Sequence, residues 1–344
     1  MTGLVMARHM VTRLNTYNLM LFEQSDNISG TWVTNILKKI MQIPDFPFQN
    51  QEEYLLDYAK QFNLYPYIKL NTLVKHVEPE ILKNGQTLWT KTFDAMVLCN
   101  GHYTVSHIPH IPGIESFHGI YIYAGKKVCI LGASWSGIDI AMEVSQYADK
   151  QRRAKTNIES VQGNVFFFRD GSSAEVDSFI YCTGYKFTYP FMSTKVEIRT
   201  DDNHVEPIYK LLVHMDYTNP FFMGLPAIMI LFPMFHIQAK YILEVLEGRI
   251  QLPSQGMREE YEIEKKSLLN QGIQLRHINK LKDRQWAYYD EIAAAANSYR
   301  VFHRLSERSS ITLSICDINF TTYKNYQYRI NNNENFNVSY CKPC

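Results

Sequence analysis

The amino-acid sequence predicts an α/β fold built from Rossmann-like nucleotide-binding units, on three observations. The stretch KKVCILGASWSGIDIAMEV, residues 126–144, carries a short buried strand, a glycine turn and a helix in that order. Residues Gly3 to Glu23 read as the later half of a second such unit: a glycine, a helix-spaced run (Leu4, Ala7, Val11), the strand-like YNLMLFE, and an acid where a ribose hydroxyl is held. Two more apolar runs, FDAMVLCNG (93–101) and FIYCTGY (179–185), each finish on a glycine turn, as buried parallel strands do.

Taken in order, the elements justify themselves locally. After the acid, FEQSDNISGTW places Gly30, Thr31 and Trp32 in a turn. EEYLLDYAKQFNL has the apolar spacing of an amphipathic helix, and FDAMVLCNG is a buried strand. HIPHIPGIESFHG is a Pro- and Gly-rich connection to the complete unit. There, Val128 to Leu131 form the strand and Gly132 allows a tight turn. The small Ser134 lets backbone amides approach a pyrophosphate, and Gly137 lets helix and strand pack closely. Ile138, Ala141, Met142 and Val144 continue the helix. Serine at the middle glycine position loosens the match to the fingerprint.

Composition narrows the partners. The chain has 344 residues, 46% hydrophobic and 20% charged, which suits a large globular core. Its formal charge is +1, with no electrostatic footprint for nucleic acid or acidic lipid, so small molecules are the expected partners. Cys99, Cys129 and Cys182 stand singly in apolar runs and read as reduced, buried thiols. The terminal Cys341 and Cys344 lack the second ligand pair that zinc needs, and His102, His107, His110 and His118 lie in a proline-broken loop without carboxylate or cysteine partners; no metal is expected. Arg8, His9 and Arg13 interrupt any signal-like apolar run, so the sequons at Asn27, Asn319 and Asn337 are expected to be silent. The apolar stretch from Phe221 to Phe235 holds Pro226 and Pro233 and is shorter than the ~20 residues of a spanning helix. It reads as core, with Met223, Met229 and Met234 as filler. A cytoplasmic protein follows, with at most a peripheral contact on the endoplasmic reticulum membrane.

The combination of FEQSDNISGTW, TNILKKIMQIPDFPF, CNGHY, the Gly132 turn, FIYCTGY and DRQWAYYDEIA, in this order, resembles the flavin-containing monooxygenases, and their insect members from Gly3 to about Ser298. The resemblance implies a two-dinucleotide-binding flavoprotein: an FAD domain begun by residues 1–121, an inserted NADPH domain at 122–190, the returning FAD domain at 191–305, and a divergent, unordered tail at 306–344. It implies that Gly3 and Glu23 hold FAD, Glu23 through the ribose, and that Gln24, Gly30, Thr31 and Trp32 follow the cofactor. Val74 matches a position whose backbone meets the adenine, and Asn35 one beside the flavin. Gly132, Ala133, Ser134, Ser136 and Gly137 match the NADPH pyrophosphate turn, and Thr183 and Gly184 a linker between nucleotide domains.

The implied chemistry is that of an N,N-dimethylaniline monooxygenase type enzyme. NADPH reduces FAD, O2 is captured as a C4a-hydroperoxide, and a tertiary amine or sulfide takes the distal oxygen. No acid–base dyad or nucleophilic triad is required, and none is evident. A Baeyer–Villiger oxygenation of ketones is the alternative on the same fold. Disulfide reduction needs a redox C-x-x-C near the flavin, and only the terminal CKPC exists.

The sequence departs from the family where ligand-binding pieces are expected. The first strand and first two glycines of the FAD fingerprint are missing, and relatives carry extra residues between the matches to Trp32 and Asn35. Phe117 and Gly119 open an F-x-G-x-x-x-H signature in which Tyr123 occupies the histidine position, with a gap after it. Another gap follows Lys150 and removes the second strand of the NADPH unit, so that Arg152, Arg153 and Lys155 read as a solvated basic turn. A shortened product of a monooxygenase gene, catalytically impaired, is therefore the second expectation.

Overall fold

The computed structural model describes residues 1–13, 17–28, 30, 46, 53–79, 91–132, 134–154, 158–253 and 255–298, and the backbone of two strands within 326–340. Two compact units emerge: Met1–Gly101 with the chain returning from Phe187, and His102–Lys186. The first unit opens with α1 (Thr2–Val11), β1 (Leu21–Phe22), α2 (Tyr54–Gln61), β2 (Ile68–Lys69) and β3 (Met96–Leu98). The second comprises β4 (Val105–Ser106), β5 (Lys127–Leu131), α3 (Trp135–Val144), β6 (Lys150–Ala154), β7 (Ile158–Gln162), β8 (Val165–Phe168), β9 (Ser173–Glu175), β10 (Ser178–Tyr181) and β11 (Tyr185–Lys186). The first unit resumes through β12 (Arg199–Asp201), β13 (His204–Glu206), β14 (Ile208–Tyr209), β15 (Val213–His214), β16 (Pro220–Phe222), α4 (Leu231–Leu246), α5 (Gly256–Asn270) and α6 (Gln285–Ala295). In the tail, β17 (Tyr326–Ile330) and β18 (Phe336–Tyr340) pair with each other.

The second unit is organised by β5. It is central in a three-stranded parallel sheet of order β10-β5-β6, with Val128 opposite Ser178 on one side and Gln151 on the other. Its side chains alternate between two buried clusters, as a strand covered on both faces requires. Val128 and Ile130 pack with Ala141 and Val144 of α3. Cys129 and Leu131 pack with Val161, Phe166 and Phe168 of the antiparallel β7-β8-β9 sheet. The strand β6 corrects the sequence reading of Lys150–Ala154 as part of a solvated turn with the second strand removed. KQRRA carries no apolar run, so periodicity gives no signal for a strand that the backbone pairing with β5 defines.

In the first unit β1 runs parallel to β2, and β3 runs parallel to β16, which continues antiparallel through β15 to β14. Among the described residues no strand joins β1 to β3. The first turn of α1 reaches both pairs: a methyl group on Gly3 would touch Cys99 at 3.6 Å and Leu21 at 3.8 Å. The core lies between helices. Leu4, Val5, Met6 and Ala7 of α1 meet Tyr54, Leu55, Tyr58 and Ala59 of α2, and Phe232, Phe235, Ile242 and Leu243 of α4. The apolar stretch from Phe221 is built into this interior: Phe221, Met223, Phe232, Met234 and Phe235 are buried there and Met229 packs against them, while Phe222 is buried with Leu98, Val205 and Ile208. Among the described residues no helix is long and apolar enough to cross a membrane.

One polar pair crosses this interior. His9 Nε2 lies 3.1 Å from His236 Nδ1, both rings buried between α1 and α4. Burial, then the His236 ring and the charges of Arg8, Lys240 and Arg13, push the His9 pKa down to about 2 from its ordinary 6.5. Between those values the unfolded chain holds a proton that the folded chain refuses. Stability is therefore complete above pH 6.5 and is lost as pH falls below it, by at most about 1.4 kcal/mol per pH unit for this ring. Urea unfolding at a series of pH values is expected to show a shallower acid slope for His9→Gln than for the parent chain; identical slopes would count against this assignment.

Candidate cofactor-binding site

The complete strand–turn–helix unit is held together by contacts between backbones. Gly132 has φ +125°, and a Cβ there would lie 2.2 Å from the Cys182 carbonyl oxygen. A Cβ on Gly137 would lie 2.5 Å from the Gly132 carbonyl oxygen and 3.3 Å from Cys182 Cβ. The end of β5, the first turn of α3 and the residue after β10 thus meet with no room for a side chain. Cys182 N–H completes the meeting by donating to the Leu131 carbonyl at 2.7 Å.

At the mouth of this turn the helix is left open. Ser134 is the N-cap of α3 in an extended conformation, and its own side chain makes no cap hydrogen bond. Ser134 and Ser136 are exposed, while Gly137 is buried beneath them. A helix start whose N-cap hydroxyl does not occupy the first-turn N–H groups is suited to phosphate oxygens. Ala133 lies outside the described residues. Further along, the Thr183 hydroxyl donates to the His107 carbonyl, and His107 N–H donates to the Gly184 carbonyl at 2.9 Å. These bonds extend the antiparallel pairing of β11 with β4. His102, just before β4, has its pKa pushed down to about 4 by burial.

In the first unit, Glu23 follows directly on β1. Its N–H donates to the Lys69 carbonyl at 3.0 Å, and its carbonyl accepts from Thr72 N–H at 2.8 Å. This brings Glu23 to the same corner as Val74, whose side chain is 37% exposed. The Glu23 carboxylate is pre-oriented: Oε1 accepts from Ser25 N–H at 3.0 Å and from the Ser25 hydroxyl at 2.7 Å. Oε2 has no hydrogen bond among the described residues. Gln24 and Gly30 are exposed, and Gly30 has φ +52° with nothing near it. Thr31, Trp32 and Asn35 lie outside the described residues. Sequence reasoning missed Ser25, although a serine two residues beyond an acid is a local signal for such a turn.

The remaining chemistry-bearing groups do not gather. His107, His110 and His118 are exposed, and among the described residues no group of His, Cys, Asp and Glu is placed to hold a metal. Burial pushes the Cys99 thiol up to about 11 and the Cys182 thiol upward, so neither is a ready thiolate.

A family profile described as flavin-binding monooxygenase-like matches residues 21–153 and 151–338. The chain belongs to this family. Among its relatives, the flavin-containing monooxygenase FMO GS-OX3 of Arabidopsis thaliana is 29% identical over 378 residues, covering 85% of this chain and 81% of the relative. FMO GS-OX1 of the same plant is 31% identical over 324 residues, covering 76% of this chain and 69% of the relative. Among solved structures, the S-allyl-L-cysteine S-oxygenase from Allium sativum superposes with a TM-score of 0.82 at 24% identity, covering 94% of this chain and 92% of that one. The two-dinucleotide flavoprotein fold expected from the sequence is therefore the fold of this flavin-binding monooxygenase-like chain.

Two glycine substitutions separate close approach from backbone conformation. Gly125 has φ +65° with nothing near it, so Gly125→Ala is expected to cost about 1–2 kcal/mol from its left-handed backbone alone. Gly132→Ala adds a clash with the Cys182 carbonyl and is expected to cost about 1–3 kcal/mol more. Chemical denaturation would check the order; equal losses for the two variants would contradict the contact.

Proposed function

We propose that this chain catalyses NADPH- and O2-dependent oxygenation of a soft nucleophile with FAD as its cofactor, a small thioether first and a tertiary amine second. The observation that carries the reading is the complete β5–Gly132–α3–β6 unit, with an N-cap Ser134 whose side chain makes no cap hydrogen bond, in a chain of the flavin-binding monooxygenase-like family. Preference for sulfur follows the S-oxygenase from Allium sativum, whose name specifies that chemistry. When bound, FAD carries electrons from NADPH to O2 and delivers oxygen to the substrate.

The residues divide the work. The N–H groups of Thr2 and Gly3, at the start of α1, would face the FAD pyrophosphate, and Glu23 Oε2 would accept from a ribose hydroxyl while Ser25 holds Oε1. Gln24, Gly30, Thr31 and Trp32 would follow FAD, with the Val74 backbone at the adenine. Gly132, Ala133, Ser134, Ser136 and Gly137 would present α3 to the NADPH pyrophosphate, and Thr183 and Gly184 would form the linker. This division keeps residues 1–121 and 191–305 for FAD and 122–190 for NADPH. Asn35 would supply a hydrogen bond that holds the reacting oxygen in place. Asn35→Ala is expected to take up FAD unchanged, to lose about a hundredfold in substrate oxygenation, and to release the consumed NADPH equivalents as H2O2. Unchanged coupling would remove that role.

The absence of a strand between β1 and β3 among the described residues favours a second reading, in which the family chemistry is present in design but FAD is held weakly. Hydrogen bonds accepted by a charged Glu23 contribute about 1.5–3 kcal/mol each, short of the ~8 kcal/mol behind micromolar affinity. One experiment separates the readings. The purified chain is mixed with FAD, passed through a desalting column, and supplied with NADPH and, in turn, a thioether, trimethylamine and a cyclic ketone. Yellow protein that forms sulfoxide supports the first reading, and colourless inactive protein the second. Lactone from the ketone would move the assignment to Baeyer–Villiger chemistry.

A further inference from the structure

Gln238 lies within α4, fully buried, with both ends of its amide engaged. Its Oε1 accepts from Gly224 N–H at 3.0 Å, and its Nε2 donates to the Tyr288 hydroxyl oxygen at 2.8 Å. The Tyr288 hydroxyl donates in turn to the Lys210 carbonyl at 3.1 Å. These roles fix the amide's orientation. Gly224 N–H can only donate, and the Tyr288 proton is spent on Lys210, so a flipped amide would set donor against donor. One side chain of α4 therefore references the loop after β16, helix α6 and the turn between β14 and β15.

The loop after β16 is the part that bears on the cofactor site. Met223 N–H donates to the Leu98 carbonyl at 3.0 Å, which carries the loop past the end of β3. Gly224 has φ +84°, and a Cβ there would fall 2.8 Å from Thr2 Cγ2 and 3.3 Å from Phe235 Cε1. Gly224 is therefore seated directly against Thr2, whose hydroxyl reaches the Cys99 carbonyl at 3.4 Å. Leu4 and Val5 N–H both close onto the Met1 carbonyl, at 3.0 and 3.1 Å, to form the first turn of α1. The path from Gln238 to that turn is thus one hydrogen bond and one van der Waals contact.

We propose that Gln238 is a positioning residue for the FAD end of the site. By holding Gly224 N–H it sets the loop against Thr2, and the loop fixes the first turn of α1, which the Thr2 and Gly3 amides begin. The inference rests on the assignment of α1 to FAD made above. An apolar side chain of the same length fills the volume but cannot hold Gly224, whereas a carboxylate can.

Hydrogen–deuterium exchange of the full chain without cofactor, read on peptides covering 2–7 and 222–226, tests the coupling. Gln238→Met is expected to speed exchange in both peptides about tenfold, the scale of one net hydrogen bond, with residues 127–144 unchanged. Gln238→Glu is expected to restore the 222–226 peptide. Thr2→Ser removes the methyl that Gly224 touches without altering α4, and is expected to speed exchange in 2–7 alone. FAD titration by flavin fluorescence should show about tenfold weaker binding for Gln238→Met and about fourfold weaker binding for Thr2→Ser, the scale of one methyl group, with NADPH affinity unmoved. Exchange in 2–7 that ignores both variants overturns the proposal, as does FAD affinity equal to that of the parent. If the parent chain itself binds no FAD while the exchange coupling holds, the assignment of α1 to FAD fails and Gln238 positions α1 only structurally.

Discussion

The constraint on which the second unit depends is the absence of side chains at two positions. The Cys182 carbonyl occupies the space a Gly132 Cβ would need, and the Gly132 carbonyl occupies the space a Gly137 Cβ would need. Once these backbones meet, β5 lies between β10 and β6, and its alternating residues feed two separate clusters. The same meeting directs the start of α3 outward with Ser134 and Ser136 exposed. Packing and the presentation of N–H donors are therefore consequences of one close approach, because a helix seated this tightly on its strand cannot rotate its first turn away.

The first unit solves a different problem with different means. Its helices bury polar side chains that are paired across long stretches of sequence: His9 with His236, Gln238 with Gly224 and Tyr288, and Gln285 with the Ile230 N–H at 3.0 Å. A buried polar group left unpaired costs more than the net gain of pairing it, so each of these fixes where its partner element sits. Gln285 and Tyr289, one turn apart on α6, both address Ile230 at the start of α4: the amide oxygen takes its N–H and the hydroxyl donates to its carbonyl. That pairing satisfies both main-chain groups of the residue that caps a 16-residue helix lacking a side-chain cap.

Much of this was legible in the sequence where short-range pattern and chemistry coincide. The β5–α3 unit declared itself through an apolar run, glycine spacing and a helical period within about 20 residues, and the Phe221–Phe235 stretch through apolarity broken by prolines. What escaped was edge and distance. KQRRA in β6 has no apolar signature, yet it pairs in parallel with β5 along its whole length. YNLMLFE reads as a seven-residue strand, yet among the described residues the strand is confined to Leu21 and Phe22, opposite Ile68 and Lys69. Gln238 looks like any helix glutamine in sequence; its partners lie 14 and 50 positions away. Glu23 was recognisable as an acid after a strand, while its orientation by Ser25 required the turn itself.

The two helix starts proposed to face nucleotides are therefore supported in unlike ways. A pyrophosphate site works when its N–H groups are aimed before the anion arrives, since aiming them afterwards spends binding energy on ordering the chain. For α3 the aim is set by main-chain contacts with β5 and the residue following β10. For α1 the neighbouring strands β1 and β3 belong to separate sheets, and among the described residues no strand joins them. There the loop at Gly224 meets Thr2 instead, and that loop is anchored by a side-chain amide from within the core. Side-chain bonds are fewer than those of a strand ladder and are each replaceable by a single substitution. On the proposed assignment of α1 to FAD, cofactor affinity and the packing of the helical core are linked at this end.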